Sequence, residues 1–238
     1  MTRTLAQSLA WAGDGAAHLR DLMSRMADDA FAAPSALPGW SRAHVLTHLA
    51  RNADAMGNLL TWARTGVETP AYASDEARDA DIEAGAARPP AEIRADVKAS
   101  SDRLAAIARA MPEAAWSATV RTRQGFELPA VEIPWWRARE MWIHAVDLDV
   151  GAAIADMPPP MLEELVGDVV HGIGTREDCP PLRLRATDRD ATWVLGDGSG
   201  DEVVGPVASL AAWVLGRSKG KDLRTPGGRR PVAVPAWL

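Results

Sequence analysis

The sequence is poor in cysteine, in tyrosine and phenylalanine, and in long apolar runs. Among its 238 residues are one cysteine, one tyrosine and two phenylalanines. A single cysteine excludes an internal disulfide and is typical of the reducing cytoplasm, where we expect this protein to be. No apolar run is long enough to span a bilayer and no secretory leader is recognisable, so we expect no membrane partner.

Basic residues are outnumbered and scattered. The net charge is -6, and no basic stripe or arm would follow a phosphate backbone, so we expect no nucleic-acid partner. The lone Cys179 lies in the proline-flanked segment "REDCPPL", which indicates a structural or incidental thiol rather than a nucleophile. These exclusions leave small molecules as partners, and we expect a monomer.

Long helices are predicted for the first two-thirds of the chain. Residues 4–31 carry apolar side chains at helical spacing, and a second helix has Ser41 as its N-cap and Gly66 as its stop. A third helix is predicted from Pro89 to Met111, and a fourth from about Pro129 to Gly151.

The connection between the second and third helices, residues 67–90, is polar and rich in alanine, glycine and proline. Long connections in compact domains are often lids or binding loops, and we expect this one to be a functional loop.

The pattern changes after "DMPPP", residues 156–160. A helix over 161–173 precedes "LRLRAT" and "ATWVLGDG", alternating runs that predict a β-hairpin, and "DEVVGP" predicts a third strand before a short helix. We therefore predict a mainly α fold with an α+β C-terminal part. Its domains would be a four-helix metal-binding domain over 1–155 and a small α+β domain over 156–238.

A candidate metal site begins with "REMWIHAVDLD", where Glu140 and His144 are four residues apart in an apolar stretch. On a helix they share a face and could bind one ion, or hydrogen-bond to each other in the core. The segment "SRAHVLTHLA" adds His48 among apolar neighbours, and a helical bundle can bring it to this pair. Two imidazoles and one carboxylate with an open fourth position are typical of a catalytic zinc site.

Two further polar residues border this predicted site. We expect His44 to be a neighbour of the ligands, because a fourth protein ligand would fill the metal's coordination shell. Asp147 could contact the bound ligand, but we favour a role in orienting the His144 imidazole.

Five segments carry a family resemblance: "PGWSRAHVLTHLARNADAM", "TGVETPAYASDEARDADI", "RAREMWIHAVDLDVG", "LGRSKGKD" and "PAWL". Together they resemble the mycothiol-dependent maleylpyruvate isomerase family, most densely in residues 38–83 and 132–151. The resemblance implies a DinB-like four-helix bundle that holds one zinc ion through His48, Glu140 and His144. It also implies a C-terminal domain similar to sterol-carrier-like folds.

The activity that the resemblance implies is the conversion of maleylpyruvate to fumarylpyruvate with mycothiol, in gentisate-type aromatic degradation. A thiolate that adds to the cis double bond makes it single, allows rotation and leaves again, and zinc would lower the pKa of the thiol. Because the substrate is a dianion, the resemblance directs attention to Arg78 and Arg217 as carboxylate-binding residues. The alternative for each is an exposed surface arginine.

Two other functions stay open at this point. A mycothiol S-transferase would join the thiol to an electrophile and release the adduct, although the "ETPAYASDEAR" loop and the arginines favour a carboxylate substrate. The other alternative is not an enzyme but a zinc-binding stress protein or ligand carrier that uses the C-terminal domain, although an open metal site with a pocket favours catalysis.

Overall fold

The computed structural model describes residues 3–237 of the chain. They divide into a helical unit, Thr4–Ala152, and a C-terminal unit that begins at Ala153 and also includes Arg3. We predicted two domains, 1–155 and 156–238. That each of them folds independently stays a prediction.

Four long helices and one short one build the helical unit: α1 (Leu5–Arg25), α2 (Arg42–Thr65), α3 (Asp75–Ala86), α4 (Pro90–Arg109) and α5 (Ile133–Asp147). The long helices form a bundle in which α2 packs on α4 and α1 packs on α5, with further contacts between α2 and α5. The short α3 packs on α2. The bundle brings α2 beside α5, the two helices with the predicted ligands.

The predicted limits of α2 are confirmed at both ends. The Ser41 side chain accepts a hydrogen bond from the backbone nitrogen of His44, and Gly66 ends the helix with a φ of 72°. The helix predicted over 4–31 is shorter, because α1 ends at Arg25. A 3₁₀ turn, Asp28–Ala32, then brings Phe31 into the core.

Residues 67–90, which we expected to be a functional loop, are not a loop throughout, because α3 lies within them. The Ser74 side chain caps this helix, and Asp75 and Glu76 in its first turn interact favourably with the helix dipole. Ile82 and Gly85 are the only buried residues of α3. Its apolar residues are therefore too few to predict a helix from the sequence.

A small hairpin precedes α5 in a stretch for which no element was predicted, and the fourth helix, predicted from about Pro129 to Gly151, is shorter and ends at Asp147. Strands β1 (Thr119–Arg121) and β2 (Glu127–Pro129) pair antiparallel, and α5 begins only at Ile133. Each strand has three residues and one buried side chain, Val120 in β1 and Leu128 in β2. Strands this short give no recognisable alternation of apolar and polar residues in the sequence.

The C-terminal unit contains α6 (Pro159–Ile173), β3 (Leu182–Ala186), β4 (Thr192–Leu195), β5 (Glu202–Gly205) and α7 (Val207–Val214). The predicted hairpin is confirmed as the antiparallel pair β3 and β4, and β5 adds parallel to β3. Helix α6 packs on β4 and on α7. The mainly α fold with an α+β C-terminal part is thus confirmed. Between residues 3 and 237, no helix has both the length and the apolar character needed to cross a membrane.

Candidate metal centre

Helices α2 and α5 bring the three predicted metal ligands together. Glu140 and His144 lie one turn apart on α5, and His48 faces them from the buried side of α2. His48 Nε2 donates to Glu140 Oε2 at 2.8 Å, and His144 Nε2 lies 3.4 Å from the same oxygen. One possible ligand atom from each residue lies within 4.8 Å of the others.

A carboxylate outside the cluster orients the His144 imidazole. Asp147, only 1% exposed, accepts a hydrogen bond of 2.9 Å from His144 Nδ1 through Oδ2. The hydrogen on Nδ1 leaves Nε2 directed at Glu140 and His48. This contact agrees with the orienting role that we favoured for Asp147.

Burial and hydrogen bonds set the charges of the cluster. Burial would raise the pKa of Glu140, but hydrogen bonds from His144 and His48 outweigh it and hold that pKa well below its usual range. Burial would lower the pKa of His144, but hydrogen bonds to Asp147 and Glu140 raise it to about 9. Burial lowers the pKa of His48 despite its contact with Glu140. The cluster therefore pairs a charged carboxylate with one neutral and one readily protonated imidazole.

His44 stands apart from this cluster, as expected of a neighbour. Its Nδ1 accepts a hydrogen bond from Ser41 Oγ at 2.7 Å, and its Nε2 donates to Glu83 at 3.3 Å. These contacts give His44 a part in capping α2.

Arg78 reaches the cluster from α3. Its Nη2 donates to His48 Nδ1 at 3.3 Å, its Nη1 donates to Asp79 at 2.6 Å, and its guanidinium lies 5.9 Å from the Tyr72 ring centroid. The side chain is only 18% exposed, so Arg78 is not an ordinary surface arginine.

Arg217 and Cys179 belong to the C-terminal unit. Arg217 follows α7, its Nη1 donates to the Leu215 carbonyl at 2.8 Å, and its backbone nitrogen donates to the Ala212 carbonyl at 2.8 Å. It therefore contributes to ending that helix. Burial and the nearby Asp178 carboxylate raise the pKa of the Cys179 thiol, which agrees with an incidental thiol.

A cavity of about 130 Å³ opens beside His48 and Glu140. Besides Arg78, its walls include residues that were not predicted from the sequence: Asn52, Met56, Tyr72, Thr122 and Arg123. Trp136 also lines it, whereas Trp135 and Trp142 are buried in the core. Asn52 had a readable signal, because it follows His48 by four residues on one helix face.

The residues present fit a zinc ion. Two imidazole nitrogens and a carboxylate oxygen converge, which is the donor set of many catalytic zinc sites. Asp147 supplies the outer contact that ligating histidines usually have, and the cavity leaves one side of the cluster open. The arrangement can hold a metal and admit one further ligand.

The fold and the cluster define a helical-bundle protein with an open candidate metal centre. The family model described as the mycothiol maleylpyruvate isomerase N-terminal domain matches residues 12–149, and the chain belongs to this family. Two crystal structures are similar over the whole of both chains, with 33% identity and a TM-score of 0.92. They are the mycothiol-dependent maleylpyruvate isomerase and a variant of it with one histidine replaced by alanine. No curated protein matches the chain.

Proposed function

We propose that this chain is a mycothiol-dependent isomerase that converts maleylpyruvate to fumarylpyruvate, a step of gentisate-type aromatic degradation. The main support is the cluster of His48, Glu140 and His144 beside an open cavity. The cluster occurs in a chain similar over its whole length to the mycothiol-dependent maleylpyruvate isomerase.

In this proposal His48, Glu140 and His144 hold a zinc ion, and Asp147 keeps the His144 ring in place. When bound, the zinc would lower the pKa of the mycothiol thiol, and the thiolate would supply reversible addition to the substrate double bond. Glu140 remains a carboxylate because its neighbouring imidazoles hold its pKa low. The protein itself provides orientation, charge and a cavity for the substrate.

Arg78 would bind one substrate carboxylate. Its guanidinium donates to His48 Nδ1 at 3.3 Å, so that nitrogen carries no hydrogen. With a metal bound at Nε2, the neutral His48 ring would carry its hydrogen on Nδ1 and would not accept from Arg78. The guanidinium would then be available to an anion. For Arg217, the assignment to a substrate carboxylate rests on the family resemblance.

Metal analysis tests the ligand set. We expect one zinc per chain in the wild-type protein and a large loss in His48→Ala and in His144→Ala, because each removes a donor atom. His44→Ala is the matched control and should keep its zinc, since His44 contacts Ser41 and Glu83 instead. Full zinc occupancy in both ligand variants would contradict the assignment.

An absorbance assay with purified protein tests the reaction. Maleylpyruvate should be isomerised only when mycothiol is added, and Cys179→Ser should leave turnover almost unchanged. Product analysis separates the alternatives, because an isomerase releases fumarylpyruvate and regenerates the thiol. A stable thiol adduct as the main product would favour an S-transferase.

Kinetics of two arginine variants test carboxylate binding. Arg78→Ala and Arg217→Ala should each lose about ten- to a hundredfold in kcat/KM, because a charged hydrogen bond contributes roughly 1.5–3 kcal/mol. Lysine at either position should recover only part of the activity, since it cannot form a two-pronged contact. Unaltered kinetics in an alanine variant would remove that residue from the site.

A further inference from the structure

Asn52 is a buried polar residue in the wall of the candidate site. It lies on α2 four residues after His48, is 6% exposed, and lines the cavity together with Arg78 and Glu140. Residues four apart share a helix face, so the Asn52 amide and the proposed ligand His48 face the same cavity. The metal cluster does not use Asn52.

Arg137 fixes the orientation of this amide. It is 4% exposed, and its Nη1 donates to the Leu49 carbonyl and to Asn52 Oδ1, both at 2.8 Å. Burial lowers the pKa of Arg137 to about 10, which still leaves it charged at neutral pH. A guanidinium only donates hydrogen bonds, so the amide oxygen must face it and the amide nitrogen must point away.

The nitrogen of this amide has two hydrogens to donate. Within residues 3–237, Asn52 Nδ2 has no hydrogen-bond partner, although the side chain is nearly enclosed. Among the described residues, the fully buried side-chain atoms without a partner are Thr47 Oγ1 and Arg51 Nε, and Asn52 Nδ2 is not one of them. The nitrogen is therefore open to the cavity, where an acceptor can reach it.

We propose that Asn52 donates a hydrogen bond from Nδ2 to the conjugated carbonyl oxygen of the substrate, and so acts as an oxyanion donor in the isomerisation. The assignment rests on the proposed function. When the C–S bond forms, the electron pair of the C=C bond moves towards this oxygen, and it returns when the C–S bond breaks. No proton and no oxidant is consumed. A fixed neutral donor suits this cycle, because it stabilises the developing charge without protonating it.

Two substitutions of Asn52 test the proposal in the zinc-loaded full-length protein. Asn52→Ala removes the donor, and Asn52→Asp keeps the oxygen that accepts from Arg137 while removing the N–H groups. Loss of one oxyanion donor typically reduces kcat by about 10²–10³-fold. We expect a loss of this size in both variants, with zinc content and the KM for mycothiol unchanged.

Ser101→Ala is the matched control. It removes another partner of Arg137, whose Nη2 donates to Ser101 Oγ at 3.3 Å, but Ser101 does not line this cavity. Its kcat should stay within about twofold of wild type. An equal loss in Ser101→Ala would mean that Asn52 acts only by holding Arg137, and would overturn the proposal.

A binding experiment separates this proposal from the proposed function. The saturated analogue of maleylpyruvate keeps both carboxylates and the carbonyl group but has no double bond to react. Calorimetry should show about tenfold weaker binding of this analogue to Asn52→Ala than to wild type, whether or not turnover is observed. Wild-type activity and analogue binding in both Asn52 variants would overturn the proposal, as would a change confined to the KM for mycothiol. Absence of isomerisation in the wild type would instead contradict the proposed function.

Discussion

At the scale of single residues, the His144 imidazole depends on one outer contact, the hydrogen bond that its Nδ1 donates to Asp147 at 2.9 Å. Without this acceptor the ring can rotate, and its Nε2 is no longer held towards Glu140. We expect Asp147→Ala to weaken zinc binding by about 10–100-fold, the usual cost of losing such an outer contact. Asp147→Asn should lose less, because its amide oxygen can still accept.

Competition with a chromophoric chelator measures this affinity. Asp149→Asn is the matched control: the side chain is exposed, and asparagine tolerates the positive φ of 53° at this position. It should bind zinc as the wild type does. If Asp147→Ala bound zinc with wild-type affinity, the imidazole would not need this carboxylate.

Sequence reasoning found the residues whose signal is local. Glu140 and His144 were paired by their spacing on one helix, and His48 was selected by its apolar neighbours. Tyr72 was not found, because its place depends on a partner in another element, Arg78. Asn52 was missed although its spacing from His48 was readable, because the contact of its amide with Arg137 depends on the packing of α2 on α5. A helical pattern predicts which face is buried but not which polar group on it meets a cavity.

At the scale of elements, α3 contacts α2 through a glycine. A Cβ at Gly85 would overlap the Thr47 Cγ2 methyl group, so only glycine permits this close approach. Gly85→Ala should gain up to about 1 kcal/mol in helix propensity but lose about 1–3 kcal/mol to overpacking. We expect net destabilisation in urea unfolding, together with reduced activity, because α3 carries Arg78.

A second substitution should relieve this overlap. Thr47→Ala removes the methyl group, and its buried hydroxyl has no hydrogen-bond partner among the described residues. The double variant should therefore be more stable than Gly85→Ala alone. Gly13→Ala in α1 is the control: apart from its chain neighbours and its own helix backbone, no atom of residues 3–237 lies within 4 Å of the new Cβ, so it should be neutral or stabilising. Equal effects of alanine at Gly13 and Gly85 would contradict the packing argument.

Elements whose ends are marked by residues close in the sequence were predictable. Ser41 and Gly66 mark the ends of α2 because capping is decided within a few residues. Helix α3 was mistaken for a loop, because most of its residues are exposed and only two are buried. The hairpin of β1 and β2 was missed because it depends on packing against the bundle, where Val120 and Leu128 are buried. Tertiary contacts decided both cases.

At the scale of the whole molecule, the family resemblance predicted more than any single pattern did. Its densest segments, residues 38–83 and 132–151, contain the proposed ligands and Arg78. The C-terminal unit was predicted element by element, but not the order β4-β3-β5 with β5 parallel to β3. Strand order depends on how the chain crosses the sheet, and alternation within a strand does not encode it.

The proposed zinc site should stabilise the two units unequally. Its three ligands all lie in the helical unit and join α2 to α5. A ligand that binds only the folded form stabilises it by about 2.7 kcal/mol at a hundredfold excess over Kd. Addition of zinc to the metal-free full-length protein should therefore slow amide hydrogen exchange in α2 and α5 by up to about a hundredfold, wherever exchange requires the cluster to open. Exchange in β3, β4 and β5 should barely change, and His144→Ala should show no zinc response in any element. Equal slowing in the helical unit and in the strands would contradict the predicted independence of the two domains.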